Sequence, residues 1–436
     1  MITEEEYRDF KRWLDDYITD PQSRREIEES GDTELLEAIQ SICFMSGDQA
    51  SVDHNKYILK YREVYSVFSL NVQRSLAETN YREKTLAYYA EVVRNRCRME
   101  NKELRLHPNI YYFPMCFELS DGCRVQCDFC GLKAPKLRGV FEYIGENADL
   151  FRRIITAAKE VLGEIIRVCP LYFATEPLDN KDYEKFLWDF KSITGHVPQT
   201  TTAVAECYPE RVRNIFEIAG QKAVREEASV RMSVRNLNQY RRMKDIYSPG
   251  ELAYVEILAN NPESINRVSD AGRARTNKDI PPEKRLPYSI SCIAGCRVNM
   301  VKKQIDFVEP EVPSCDFPEG LRVREQASFE NADDFKEKII YLYKKYSRPY
   351  LDTECSLFLN ENTRMEVKDD AIIFYGDDCS CYCHNTRINN KAVSLIRKGK
   401  SFDDILKDME LSGADEEALY RTLNDLYMRG YLRMMF

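Results

Sequence analysis

With 436 residues, 63 Lys and Arg against 72 Asp and Glu, and a net charge of −9, the chain has no global positive field to hold a phosphate backbone; bulk nucleic-acid binding is disfavoured, and a local basic patch stays open. No apolar run approaches the roughly 20 residues that a bilayer requires, and the opening MITEEEYRDF is too acidic for a signal or transit peptide, so a cytoplasmic protein without membrane association is expected. In a reducing cytosol the 15 cysteines are not a disulfide framework: short-spaced clusters point to metal or redox chemistry, and isolated ones such as Cys43, Cys97, Cys169 and Cys207 to small buried apolar residues.

Residues 1–107 read as a helical region. EEEYRDFKRWLDDYI, DTELLEAIQSICFM and NKYILKYREVYSVFSLNVQRSLAET repeat apolar residues at three-to-four spacing with almost no Gly or Pro. From 108 to 287 the pattern alternates. HPNIYYFPMCFELS is β-branched and aromatic, a strand running into a cysteine loop. ENADLFRRIITAAKEVLG predicts an amphipathic helix, EIIRVCPLYFAT a strand, and NKDYEKFLWDFKSIT a helix capped by Asn180. VPQTTTAVA, SVRMSV and AYVEILA follow as strands, separated by the helices YPERVRNIFEIAG, ending on Gly220, and NLNQYRRMKDIY. Strand and helix in turn, with short connections, predict parallel βαβ units; five or six of them close fully or partly into a barrel with its site at the carboxyl ends of the strands.

Between 288 and 362 the regularity breaks, and PYSISCIAGCRVNM and KKQIDFVEP read as a strand pair. From 363 to 436 come two short strands, MEVKDD and AIIFYG, and a cysteine-rich turn, DDCSCYCHN. Three helices, NKAVSLIRKG, SFDDILKDME and ADEEALYRTLNDLYMRG, and a last strand, YLRMMF, complete the outline of a winged-helix module.

The chemistry concentrates in SDGCRVQCDFCGLK, which sets Cys123, Cys127 and Cys130 on one loop. Structural zinc takes four Cys or His ligands in close pairs. This loop has no nearby histidine, His107 being well upstream, and Cys116, the nearest further thiol, falls on the preceding strand. A C-x3-C-x2-C triplet better suits three corners of a [4Fe–4S] cluster, with the fourth iron open to a substrate or cosubstrate.

On CRVQCDFC, with Phe129 as the aromatic before the last cysteine, the chain resembles the radical S-adenosylmethionine (SAM) superfamily over about residues 110 to 310. The resemblance implies an α/β fold built on a partial (β/α)6 TIM-like barrel, with the helical N-terminal region and the winged-helix-like module appended. It also implies a [4Fe–4S] cluster whose open iron is chelated by SAM, and cleavage of SAM by one electron to a 5′-deoxyadenosyl radical. The second strand of that superfamily ends in Gly-Gly-Glu-Pro around the SAM ammonium; here YFATEPLDN makes Glu176 the matching acid, with Ala174 and Thr175 replacing the glycines. In SVRMSVRN, alternation places Arg231 and Ser233 on one face, matching positions that touch the ribose and carboxylate of SAM, and LANN offers Asn260 beneath the adenine.

CFELSDGCRVQCDFCGL, YFATEPLDNKDYE and SISCIAGCRVNMVKKQIDFVEPEVPSCDFPEGLRV, in that order, are similar to the proteusin-type radical SAM peptide epimerases. That likeness implies inversion of L-residues to D-residues in a ribosomally made precursor peptide, with flavodoxin or ferredoxin as electron donor. The adenosyl radical takes the Cα hydrogen and a cysteine thiol returns one from the opposite face. Cys315 is the first candidate donor and Cys292 the second, with Cys296 and Cys355 behind them. The competing assignment of these cysteines is an auxiliary iron–sulfur cluster, which goes with a rival activity: a maturase that forms thioether or carbon–carbon crosslinks, or a methylase. Cys379, Cys381, Cys383 and His384 form a dense group of no familiar ligand spacing, open to zinc or iron on a loop and sharing a face on a strand. The C-terminal module resembles leader-peptide recognition domains, which add a peptide as a strand to a sheet edge. A DNA-binding, redox-sensing iron–sulfur protein is the alternative of another class, disfavoured by the acidic helices.

Overall fold

The computed structural model describes residues 2–44, 55–64, 89–100, 112–220, 230–348, 350–360, 362–376 and 380–435. It is a mixed α/β protein. The first two expected N-terminal helices form at Glu4–Thr19 and Thr33–Phe44, with a further helix, Pro21–Glu29, between them; the third expected helix is helical over 56–64 and otherwise lies outside the described residues. Thr3 and Glu6 close a capping box on the first. Its far end docks by polar contacts: Asp16 accepts from the Tyr240 hydroxyl (2.8 Å) and Lys244 (2.6 Å), and Asn261 donates to the Thr19 carbonyl (3.0 Å).

Strand β1, Phe113–Glu118, is buried at every residue and leads through the short β2, Ser120–Asp121, into the cysteine loop; β3, Gly139–Val140, pairs with β2 and closes it. Three parallel strands form the alternating part: β4, Thr200–Thr202, β5, Val230–Val234, and β6, Glu256–Ala259. The helices between them run Pro209–Ala219, ended by Gly220 in a positive-φ conformation, and Leu237–Ile246, capped by Asn236. After a short parallel pair, β7 (Val268–Ser269) with β8 (Arg285–Leu286), come β9, Ile293–Asn299, β10, Gln304–Pro310, and β11, Leu321–Ser328. The expected strand pair is thus β9–β10, antiparallel, and it belongs to a larger sheet of order β1-β9-β10-β11, in which β1 and β9 run parallel.

Two expectations for this part of the chain are corrected. The apolar run EIIRVCPLYFAT is no strand: Gly163, at φ 75°, turns the chain into a 3-10 helix over Gly163–Val168, and the remainder meets β1 through one backbone bond, Phe117 N–H to the Pro170 carbonyl (3.0 Å). The helix after it spans Tyr183–Thr194 with Asp182 as N-cap, not Asn180. Asn180 is buried; its Oδ1 accepts the Asp182 N–H (2.9 Å) just before the helix, while its Nδ2 donates to the carbonyls of Leu119 (3.0 Å) and Phe141 (2.8 Å), groups that have no water to turn to.

The main core packs the helices Gly145–Leu162, Tyr183–Thr194 and Ala332–Tyr346 against β1, β9 and β10. In the C-terminal part, β13, Arg364–Val367, β14, Ala371–Tyr375, and β15, Ser380–His384, form an antiparallel sheet with β14 in the middle. Helices follow at Arg387–Ile396, Phe402–Met409 and Ala414–Met428. The last strand, β16, Leu432–Met435, pairs with β12, Ser356–Leu359, upstream of the expected module, and not with β13 or β14. Where a cysteine-rich turn was expected, residues 380–384 form the strand β15. Among the described residues no helix is long and apolar enough to cross a membrane.

Candidate active site

The cysteine loop is pinned along its length. At its base Asp121 accepts from Arg138 (2.8 Å) and Lys302 (3.0 Å). Gly122, at φ 92°, lies so close to the Lys136 carbonyl that no side chain fits there. Gln126 takes a left-handed conformation, φ 51°, and its side-chain amide reaches the carbonyls of Cys123 (2.7 Å), Pro135 (2.9 Å) and Ala134 (3.0 Å). From the other side, Arg273 donates its backbone N–H to the Cys130 carbonyl (2.9 Å), Nε to the Cys127 carbonyl (2.7 Å) and Nη1 to the Ala134 carbonyl (2.8 Å).

All three thiols are half-buried. Burial pushes the Cys127 thiol up to about 12, with Cys123 and Cys130 adding to the shift and Arg235 opposing it; burial raises Cys123 as well. Cys127 is thus within electrostatic reach of both other thiols of the loop. Among the described residues, these included, no three Cys, His, Asp or Glu side chains are already gathered as a metal site. The loop's donor set, three thiols without histidine, suits three corners of a [4Fe–4S] cluster. Beside it, the Arg273 Nη2 is buried with no hydrogen-bond partner among the described residues, a donor matched to the negative charge that such a thiolate-held group carries. Phe129, next to Cys130, is half-buried.

Glu176 lies beside this loop. It is 3% exposed, its Oε1 accepts from Leu178 N–H (3.1 Å) and its Oε2 from Ala203 N–H (2.9 Å), just past β4. Burial pushes its carboxyl up to about 7, against the pull of those bonds and of the Thr202 hydroxyl. It acts on the thiols of Cys123 and Cys127, raising both. Arg124 ties the two segments by donating backbone N–H (2.7 Å) and Nε (3.0 Å) to Asp179. Ala174 and Thr175 are half-buried, and the Ala174 N–H is bound by Glu118 (2.8 Å).

The next group sits across β4, β5 and β6, where Thr201, Arg231 and Glu256 are register partners in one row. Arg231 donates to the Thr201 hydroxyl (2.9 Å) and the Tyr172 hydroxyl (3.0 Å) and stands 3.9 Å from Glu256. One step along, the Ser233 hydroxyl accepts from Asn260 (3.0 Å), so these two expected residues meet. Cys292, half-buried just before β9, is raised by burial and eased by the Arg231 guanidinium.

Other cysteines are dispersed. Cys315 is exposed on the β10–β11 loop, Cys296 is buried within β9 beside Tyr343, and Cys355 is buried near β12. Cys207, expected to be buried, is exposed. On β15, Cys381 and Cys383 turn toward the C-terminal core while Tyr382, 70% exposed, and His384 take the opposite face, so Cys381, Cys383 and His384, a group the sequence left open, do not form one ligand set; Cys379 lies outside the described residues. Sequence reasoning missed Glu118, Tyr172, Thr201 and Arg273. Only Glu118 had a signal, an acid closing the apolar strand FPMCFE.

No family model matches the chain. An uncharacterized protein, y4wI, from Sinorhizobium fredii is 36% identical over 241 residues, 53% of this chain and 46% of that protein. The chain thus spans about half the length of the curated relative it matches. Among solved structures, BtrN in complex with AdoMet and 2-DOIA aligns with 54% of this chain and 80% of its own at 14% identity, with a TM-score of 0.31. A score that low does not separate a shared fold from shared helix and strand content.

Proposed function

We propose that the chain is a radical SAM enzyme that inverts L- to D-residues in a ribosomally made peptide. The observation that carries this reading is the C-x3-C-x2-C loop that follows β1 and β2, where the Cys127 thiol feels Cys123 and Cys130, and Glu176 acts on both Cys123 and Cys127. Cys123, Cys127 and Cys130 would hold a [4Fe–4S] cluster; Glu176 and the main chain at Ala174 and Thr175, with Arg231, Ser233, Asn260 and Phe129, would hold SAM. When bound, the pair supplies a carbon radical able to take a peptide Cα hydrogen atom.

The chain's own residues then have three tasks. Glu176 takes the SAM ammonium: its oxygens accept the Leu178 and Ala203 N–H groups and the Thr202 hydroxyl, which leaves about one of the roughly four lone-pair sites of a carboxylate for a further donor. Arg231, held by Tyr172 and Thr201, keeps a fixed cation in the row across β4–β6. Cys292 returns a hydrogen atom to the planar Cα radical, breaking S–H and forming C–H, and is left as a thiyl radical that an external one-electron donor and a solvent proton restore. Flavodoxin or ferredoxin is the class of donor proposed. Burial favours Cys292 over Cys315 for this task, because a thiol at the surface leaves the radical open to solvent.

The partner reading is supported in the C-terminal part. β13 and β15 are the outer strands of their sheet, where an extended leader can add as a further strand. Acids crowd the first turns of the last two helices, Asp403 and Asp404, then Asp415, Glu416 and Glu417, a poor surface for a phosphate backbone. The test is peptide mass in deuterated water. An epimerase adds a deuteron at each inverted centre, because the donor thiol exchanges with solvent; loss of hydrogens without deuterium uptake contradicts the reading and points to a crosslinking maturase.

A further inference from the structure

Arg273 comes 146 positions after Cys127 and belongs to no segment singled out by the sequence, yet it touches the cysteine loop at four points. Its backbone N–H and Nε hold the carbonyls of Cys130 and Cys127; Nη1 holds Ala134 and reaches the side chain of Gln126 (3.4 Å), the residue that holds the Cys123 carbonyl. All three candidate ligands are thus positioned by Arg273, two directly and one through Gln126. The preceding Gly272 makes the approach possible. At φ 55° it packs against the carbonyls of Cys130 and Gly131 where a side chain would clash, and its N–H is bound by the Pro318 carbonyl (2.7 Å) on the loop that carries Cys315.

What remains is Nη2. A guanidinium does not lose its proton to escape burial, and a buried charged donor without an acceptor is costly. We infer that Arg273 is the positioning residue of the cysteine loop and that its Nη2 is kept for the anionic group the three thiolates hold, supplying a fixed positive charge that favours the reduced, more negative state of that group. This rests on the reading of the loop as an iron–sulfur site. Charge and hydrogen bonds near the sulfurs are established controls of cluster potential.

The test compares full-length wild type, Arg273→Lys and Arg273→Gln after anaerobic reconstitution. Circular dichroism melts report folding, iron and sulfide content reports retention, and an EPR-monitored redox titration reports the potential. Arg273→Gln is expected to shift the reduction equilibrium at least tenfold toward the oxidised state, about 59 mV for one electron. Arg273→Lys, which keeps the charge and loses the fork, is expected to hold a potential near wild type while shedding iron faster on gel filtration. A folded Arg273→Gln protein with wild-type iron content and potential overturns the inference and leaves the iron–sulfur reading standing. Wild type that assembles no cluster overturns both. If Arg273→Gln does not fold, wild-type iron retention by Arg273→Lys overturns the positioning role.

Discussion

The Glu118 carboxylate, at the last residue of β1, accepts the Ala174 N–H at 2.8 Å, so the segment leading to Glu176 hangs from the strand that leads to the cysteine loop. Glu118 is 4% exposed; burial raises its carboxyl and Arg297 opposes that rise. Arg297 in turn pairs with the buried Asp306 across β9 and β10. Arg297 thus stands between two buried acids, Glu118 and Asp306.

Replacing Glu118 by alanine removes the acceptor of a partly buried N–H and one partner of Arg297, at a cost of about 1–3 kcal/mol. Glu118→Gln keeps a carbonyl oxygen for Ala174 and is expected to cost less. Denaturant unfolding checks the order, and SAM affinity should fall in the same order. Equal stability of Glu118→Ala and wild type would remove Glu118 from the account.

Glu176 makes the fold and, on the proposed reading, SAM binding sensitive to pH in opposite directions. Its folded carboxyl titrates near 7, above the unfolded value, so between the usual carboxylate range and pH 7 the folded state holds a proton that the unfolded state has lost. Stability therefore declines as pH rises through that window, by roughly 1–3 kcal/mol, and Glu176→Gln flattens the slope. Binding of the SAM ammonium needs the ionised form, so affinity is expected to fall about tenfold per pH unit below 7, with proton release on binding. Titration calorimetry in two buffers of different ionisation enthalpy measures both; affinity independent of pH from 6 to 8 contradicts the role given to Glu176.

Cys292→Ala should leave reductive SAM cleavage intact and abolish deuterium uptake into the peptide, since it deletes the proposed donor and not the proposed radical source. Cys315→Ala, at the surface, should retain both. The reverse pattern would move the donor to the β10–β11 loop.

For Cys381 and Cys383 the expectation is packing. Each lies against the C-terminal core with its thiol raised by burial. The double serine variant should lose about 1–3 kcal/mol from its two buried hydroxyls while keeping its iron and zinc content. Loss of metal without loss of stability would restore the ligand reading.

Much of this architecture could be read from the sequence where local pattern decides. Amphipathic periodicity located Gly145–Leu162 and Ala414–Met428, and β-branched or aromatic runs located β1, β5 and β10. The run from Glu164 to Thr175 could not be read in this way, because a short apolar stretch buried on all sides has no period to separate strand from turn. Asn180 shows the same limit: its cap propensity is local, and the carbonyls of Leu119 and Phe141 that claim it are distant in sequence. Cys123, Cys127, Cys130 and Glu176 stood out as candidates through their spacing and neighbours, and Glu176 acts on the thiols of Cys123 and Cys127. Glu118 with Arg297, Thr201 with Arg231, and Arg273 with the loop depend on strand register and on contacts spanning many residues, which no single stretch of sequence encodes.

The most direct test is anaerobic reconstitution of the full chain followed by an assay for 5′-deoxyadenosine under reducing conditions, with Cys127→Ala in parallel. Wild type is expected to hold about four irons and four sulfides per chain and to cleave SAM, and Cys127→Ala to lose both properties. Zinc in the loop, or SAM left whole beside the reduced protein, would contradict the account.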